Sequence, residues 1–330
     1  MDYRRLGRTG LEISRLCLGC GSFGGIGSAP AFYGMGETEV QAAELMDRAW
    51  DAGITTFDTA DAYGGGRSES FIGRWLAQKG SAVRDRLVIT SKVFNPVGPG
   101  PNERGLSRVH VLRQVEASLA RLQTDRIDLY LMHEVDPATP IEETLAALND
   151  ACRAGKVLHI GASNIAAGQL AHALGSSDAH GFARVECVQD SYSLLDRRVE
   201  REVLPLCADA GVGFTAFSPL SGGWLTGKYR RGDPPPGGSR MTLRPEPYRH
   251  LETDAVFDGL SALGEAAAAR GVSMSALSLA WLLAQPAVDA AVIGPRTPAH
   301  LDEARAALEL ALTREDAARL ADLFAEVVPQ

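Results

Sequence analysis

Long hydrophobic runs are missing from this sequence, cysteines are few, and lysine is nearly absent. No stretch approaches the ~20 apolar residues that cross a bilayer, and the opening MDYRRLGRTG lacks the apolar core of a signal peptide. Both absences predict a cytoplasmic protein without a membrane partner. The net charge of −8 is spread over both halves, with no clustered Lys/Arg stripe, which argues against nucleic acid as a partner. The five cysteines, Cys17, Cys20, Cys152, Cys187 and Cys207, are odd in number and scattered, unlike the disulfide framework of a small secreted domain, and read as free thiols. Cys17 and Cys20 form a C-x-x-C inside RLCLGCG, an apolar run that reads as a strand. Three residues apart in a strand they face opposite sides and cannot share a metal. His110, His133, His159, His172, His180, His250 and His300 show no paired ligand spacing, so no metal site is expected.

What is present is the composition of a globular chain, 45% hydrophobic and 22% charged over 330 residues. Of 33 basic residues only Lys79, Lys92, Lys156 and Lys228 are lysines. A chain that otherwise uses arginine has reason to keep lysine where a compact, tunable ammonium is needed.

After a short hairpin turning at RTG, strand-like and helix-like segments alternate. Short apolar runs at 15–19, 54–58, 86–91, 127–132, 157–162, 185–189, 212–217 and 288–293 predict eight strands. Amphipathic stretches predict helices at 37–52, 68–79, 108–122, 141–154, 166–174, 199–210, 254–270, 274–284, 299–310 and 313–327. Parallel neighbours need helical crossovers. Eight such units favour a closed (β/α)8 TIM barrel, taken as a single domain over 1–330, with an N-terminal β-hairpin and an extra C-terminal helix. Two Gly/Pro-rich connections, 94–107 and 219–250, follow strands and so belong at the C-terminal mouth, where such barrels build active sites; the second is expected to move when no ligand is bound. Nothing in the pattern specifies an oligomeric state.

Gly19-Cys20-Gly21-Ser22-Phe23-Gly24 matches the G-x-G-x-x-G dinucleotide fingerprint after a strand. That motif works by opening a helix onto a pyrophosphate. The residues that follow, GGIGSAPAFYGMGE, read as loop, so a doubly wound fold is not expected. A stronger signal is distributed over successive strand ends: FDTADAYG, ITSK and DLYLMH place Asp58, Tyr63, Lys92 and His133 at one mouth. Singly each has an ordinary role as a capping Asp, an amphipathic Tyr, a solvated Lys or a hydrogen-bonded core His. Together they make a chemical unit. Reduction of a carbonyl by hydride needs a proton donor for the developing alkoxide, and a Tyr with pKa ~10 is a weak acid at neutral pH. An ammonium beside it stabilises tyrosinate, a carboxylate pairs the buried Lys, and a His can orient the carbonyl.

These motifs, with GKVLHIGASN, FSPLSGGWLTGKY and the opening YRRLGRTGLEISRLCLG, resemble the aldo-keto reductase superfamily, in its bacterial and potassium-channel β-subunit-like branch, from about residue 2 to 310. The resemblance implies Tyr63 as general acid, Lys92 and Asp58 as its tuning pair, and His133 as the residue orienting the carbonyl. It implies a nicotinamide held by Ser163, Asn164 and Gln189, stacked on Phe217, with Cys20 and Gly21 alongside. Ser218, Leu220, Gly222 and Lys228 would hold the pyrophosphate. An aromatic at a strand end also offers a flat cofactor its face, and a lysine in a loop suits a phosphate.

VIGPRTPAHLDEA resembles the segment that binds the adenosine 2′-phosphate, so Gly294, Arg296, Thr297, His300 and Glu303 are expected there, and NADP(H) is favoured over NAD(H). His300 and Ala304 replace the Gln and Asn common in the family. Gly21 stands where many relatives carry an aromatic, which implies a roomier pocket lined by 24–36 with Phe32 or Tyr33, and by Phe94; loop packing is the alternative for these three. The function implied is NADPH-dependent reduction of an aldehyde or ketone. The alternatives are a sugar or alcohol dehydrogenase working oxidatively and a regulatory subunit that senses the cofactor.

Overall fold

The computed structural model describes residues 1–327. Eight parallel strands close on themselves in sequence order, the last pairing with the first. They are β1 Leu16–Gly19, β2 Thr56–Asp58, β3 Val88–Val93, β4 Ile127–Met132, β5 Val157–Ser163, β6 Val185–Ser191, β7 Gly213–Phe217 and β8 Ala290–Ile293. This is the (β/α)8 barrel. Its wall of helices begins with α1 Glu39–Asp51, α2 Arg67–Lys79, α3 Arg108–Leu122, α4 Ile141–Arg153, α5 Ala167–His180 and α6 Val203–Ala210. It continues with α7 Asp254–Ala269, α8 Met274–Leu283 and α9 Pro298–Ala306, and α10 Arg314–Asp322 follows. No single helix among the described residues is long and apolar enough to cross a membrane.

The period-2 alternation of strand side chains divides the core in two. Tyr130 and Met132 of β4 face the helices and join the large outer cluster, while Leu129 and Leu131 face the barrel axis with Cys17, Val88, Cys187, Ala290 and Val292. Cys17 thus belongs to the inner cluster and Cys20 to the outer one, as opposite faces require. The N-terminal hairpin, Tyr3–Arg5 against Glu12–Ser14, stoppers the far end of the barrel with Leu6 and Ile13. Gly213 at the start of β7 makes room for that stopper, because a Cβ there would lie 2.7 Å from Leu6 Cδ1.

The predicted elements are all present, with boundaries moved for identifiable reasons. Strand β3 runs on to Val93, so Lys92 is inside the ladder, opposite Leu131. Strand β2 is only Thr56–Asp58 and β8 starts at Ala290, although Ile54 and Val288 are buried just before them. Helix α1 begins at Glu39, because Thr38 and Gln41 form a reciprocal capping box. Glu37 therefore stays outside the helix, and it is buried. Helix α5 extends to His180, beyond the expected 174, since Ser176 and Ser177 pack inward and tertiary burial outweighs the poor propensity of Gly175 and its neighbours. The predicted helix at 199–210 is a 3-10 turn, Arg198–Glu200, followed by α6. The long connection 219–250 carries its own structure: a 3-10 segment Ser221–Thr226, a short helix Arg240–Leu243, and Tyr229, Met241 and Leu251 packed inward. No helix follows the G-x-G-x-x-G; the chain makes a loop with a 3-10 turn at Pro30–Phe32.

Candidate active site

Inward parity selects the site. Lys92 and Gln189 lie an even number of residues from inward Val88 and Cys187, Asp58 and Ser163 one residue from outward Phe57 and Ala162, Phe217 packs on the inner cluster, and His133 follows inward Leu131 in the same phase. They form the top layer of the barrel interior, where the apolar filling gives way to polar groups.

Lys92 Nζ donates to Asp58 Oδ1 at 2.6 Å and to the Thr59 carbonyl at 2.9 Å. The Asp58 Oδ2 accepts from Gln189 Nε2 at 2.8 Å, so both carboxylate oxygens are engaged. The pair is almost wholly buried, with the Lys92 side chain 1% and the Asp58 side chain 6% exposed. Burial works to lower the Lys92 pKa, but attraction to Asp58 and Tyr63 outweighs it and leaves the ammonium more stable than in water. Its Nζ lies 5.2 Å from the centroid of the Tyr63 ring.

Tyr63 opens a 3-10 turn, Tyr63–Gly65, whose glycines adopt left-handed backbone. Its hydroxyl is 3.4 Å from His133 Nε2, with the rings edge to face at a centroid distance of 5.5 Å. Burial raises the Tyr63 pKa, and Lys92 pulls it down by less. The ammonium therefore acts in the anticipated direction, while burial decides the net sign and keeps the phenol protonated. His133 is partly open at the mouth, yet its ring nitrogens are enclosed. Burial first and repulsion from Lys92 second push its pKa down to about 3, so the imidazole is neutral. Asn95 Nδ2 lies 3.1 Å from His133 Nδ1, and Asn164 Nδ2 donates to the His133 carbonyl at 2.9 Å and to Ser163 Oγ at 3.1 Å.

Around this centre, Phe217 ends β7 half-buried, and Ser218 and Gly222 turn the chain with positive φ beside Leu220. Tyr248 of the long loop packs on Gly222, and the Lys228 ammonium is tucked against Gly223. The Lys228 pKa is lowered, first by burial of that ammonium and then by repulsion from Arg240 and Arg296. Three cations thus converge where polar backbone turns face the mouth. Arg296 is 39% exposed in its side chain; its backbone N–H donates to His300 Nδ1 at 3.2 Å, and Thr297 follows it immediately before α9. Gly294 has open space around its α-carbon and Glu303 is exposed. Backbone N–H of Cys20 donates to the Asp58 carbonyl, while its thiol points away into the outer core.

The pocket residues divide. Gly21 faces the Tyr63 ring: a Cβ there would sit at ordinary contact distance, 3.5 Å, from Tyr63 Cε2. Tyr33 instead braces the outside of the Tyr63 turn: its ring lies against Gly65 and under Arg67, and its hydroxyl donates to the Ser28 carbonyl at 3.1 Å. Phe32 lies under Arg244 of the long loop, with 5.7 Å between guanidinium and ring centre. Phe94 packs against the outer core. Sequence reasoning did not single out Asn95, Arg240 or Glu37; the first two lie in Gly/Pro-rich loops where no periodicity marks a residue.

The aldo/keto reductase family profile matches residues 15–324 of the chain. An uncharacterized oxidoreductase of Bacillus subtilis, YrpG, is 40% identical over 98% of this chain and 96% of its own length. The versiconal hemiacetal acetate reductase of Aspergillus parasiticus is 34% identical, covering 96% of this chain and 95% of its own. A probable voltage-gated potassium channel subunit beta of Arabidopsis thaliana is 34% identical, over 94% and 92% respectively.

Proposed function

The chain belongs to the aldo/keto reductase family, and we propose that it reduces an aldehyde or ketone with NADPH, Tyr63 being the proton donor. One observation carries this reading: the Tyr63 hydroxyl and His133 Nε2 stand 3.4 Å apart at the top of the barrel, with the buried Lys92–Asp58 pair beneath the phenol. A carbonyl oxygen placed between them meets two neutral hydrogen-bond donors.

The residues present fit a phosphorylated dinucleotide. Lys228, Arg240 and Arg296 supply a cluster of cations for its phosphates, and α9 begins beside Arg296, where backbone N–H groups favour an anion. Ser163 with Asn164, Gln189 and Phe217 come from three consecutive strands for the nicotinamide, Gln189 contributing the carbonyl end of an amide whose N–H group holds Asp58. When bound, the nicotinamide supplies the hydride. Tyr63 then gives its phenolic proton to the oxygen that becomes the alcohol. Lys92 stabilises the tyrosinate left behind, and Asp58 with Gln189 keeps that ammonium in place. His133 holds the carbonyl oxygen in line. The cation cluster favours NADPH, and hence reduction, over an oxidative direction.

The test is Tyr63→Phe. Removal of the acid should lower kcat for an activated aldehyde such as 4-nitrobenzaldehyde by about 10²-fold or more, with NADPH binding retained in a fluorescence titration. Full retention of turnover would refute the assignment. Binding of NADPH by the wild-type protein with negligible turnover over a panel of aldehydes, ketones and keto-lactones would instead favour a cofactor-sensing subunit, in keeping with its similarity to a channel β-subunit.

A further inference from the structure

We propose that Asn95 is a positioning residue that fixes the proton of His133 on Nε2, the nitrogen facing the Tyr63 hydroxyl. It stands three residues after Lys92, where β3 has ended, and its side chain crosses to the end of neighbouring β4. Its amide Nδ2 lies 3.1 Å from His133 Nδ1. An amide nitrogen donates and does not accept, so this contact makes Nδ1 the acceptor. A neutral imidazole has one N–H, and with Nδ1 accepting, that N–H is on Nε2.

The geometry gives the assignment a purpose. The Nε2 atom points at the space beside the Tyr63 hydroxyl, 3.4 Å away. With the proton on Nε2, the ring offers a donor to a carbonyl oxygen placed there. In the other tautomer it would offer a lone pair to a lone pair, and the oxygen would lose one of its two partners. The main chain of His133 is pinned separately, through its carbonyl, by Asn164. The two asparagines therefore divide the work: Asn164 fixes where the residue sits, and Asn95 fixes what the ring presents. Asn95 acts through His133 alone. The inference rests on His133 as the carbonyl-orienting residue, and its test separates the two ideas.

The test is long-range 1H–15N correlation NMR on the full chain labelled with 15N-histidine, the His133 signals being assigned by their loss in His133→Gln. At neutral pH the wild-type ring should show the Nε2–H tautomer. Asn95→Asp replaces a donor with an acceptor and should move the ring to the Nδ1–H tautomer or protonate it. With that change, kcat for the aldehyde should fall about tenfold or more while KM and the NADPH Kd change less than about threefold. Asn95→Ala should give a mixed tautomer and an intermediate kcat. A wild-type ring in the Nδ1–H form overturns the proposal outright, and that reading needs no variant to fold. An Asn95→Asp protein that keeps both the Nε2–H signal and its kcat also overturns it. Should Tyr63→Phe prove fully active, Tyr63 is not the proton donor, and the wild-type tautomer still decides the role of Asn95.

Discussion

Arg296 and Glu37, 259 residues apart in the chain, are joined by a 2.8 Å ion pair from the guanidinium Nε to Oε1. The Glu37 side chain is only 3% exposed, and its second oxygen has no hydrogen-bond partner among the described residues. The same guanidinium donates to the Gly238 carbonyl at 2.9 Å, so one arginine links the end of the loop after β1, the long loop and the chain after β8. An anion arriving at Arg296 meets a carboxylate already there. Glu37→Gln should therefore lower KM for NADPH about threefold to tenfold and leave KM for NADH within about twofold. Arg296→Ala should raise KM for NADPH about tenfold or more and leave NADH nearly unaffected. Steady-state kinetics with both cofactors check this, and an unchanged NADPH/NADH preference in both variants would remove Arg296 from the phosphate site.

The pH dependence follows from two groups whose shifts are opposite in sign. Burial raises the Tyr63 pKa above its ordinary 10, so the acid stays loaded as pH rises through the neutral range. The His133 pKa is pushed down to about 3, so the ring stays neutral as pH falls. Reductive kcat/KM in the free enzyme should be level between about pH 5 and 9 and decline only in strong alkali. An inflection near pH 6.5 that vanished in His133→Gln would show that the ring titrates normally.

Lys92 and Asp58 form a buried pair in which each charge depends on the other. Lys92→Met leaves Asp58 with Gln189 alone and should cost about 3–5 kcal/mol of stability in urea unfolding, besides abolishing turnover. The double variant Asp58→Asn with Lys92→Met should recover much of that loss without recovering activity. A single variant as stable as the wild type would mean that the carboxylate is already solvated or protonated.

Gly21 lies against the Tyr63 ring. Its hypothetical Cβ would be at ordinary contact distance, 3.5 Å, from the Tyr63 ring, so Gly21→Ala should fold and react normally. Gly21→Trp should lower kcat/KM for bulky aryl ketones by about tenfold or more while small aldehydes keep most of theirs. Equal losses for both substrate sizes would place the substrate elsewhere.

The barrel is legible in the sequence because its strands alternate with amphipathic helices, and the four central residues because they recur at consecutive strand ends. The sequence ends β3 before Lys92, since apolar runs mark strands and a lysine breaks the run; only the barrel's closed interior shows that an ammonium can sit in the ladder opposite Leu131 with Asp58 to receive it. Glu37 reads as the first residue of a helix, and its pairing with Arg296 depends on closure across the first and last strands. Arg240 looks like any other arginine until the long loop folds it toward Lys228 and Arg296. Asn95 carries no local pattern at all. Its role arises from two neighbouring strands ending at the same height, which pairing register specifies and linear spacing does not.

The division of the core into inner and outer faces also settles the fate of the thiols. Cys17, Cys20, Cys187 and Cys207 are buried, and burial raises the pKa of all four; Cys152 is half-buried and likewise raised, to about 11. Thiolate, the form that electrophiles attack, is therefore scarce at every position. An electrophile entering the mouth of this barrel therefore meets a protonated thiol at Cys20, and thiol-directed reagents should modify the folded protein slowly.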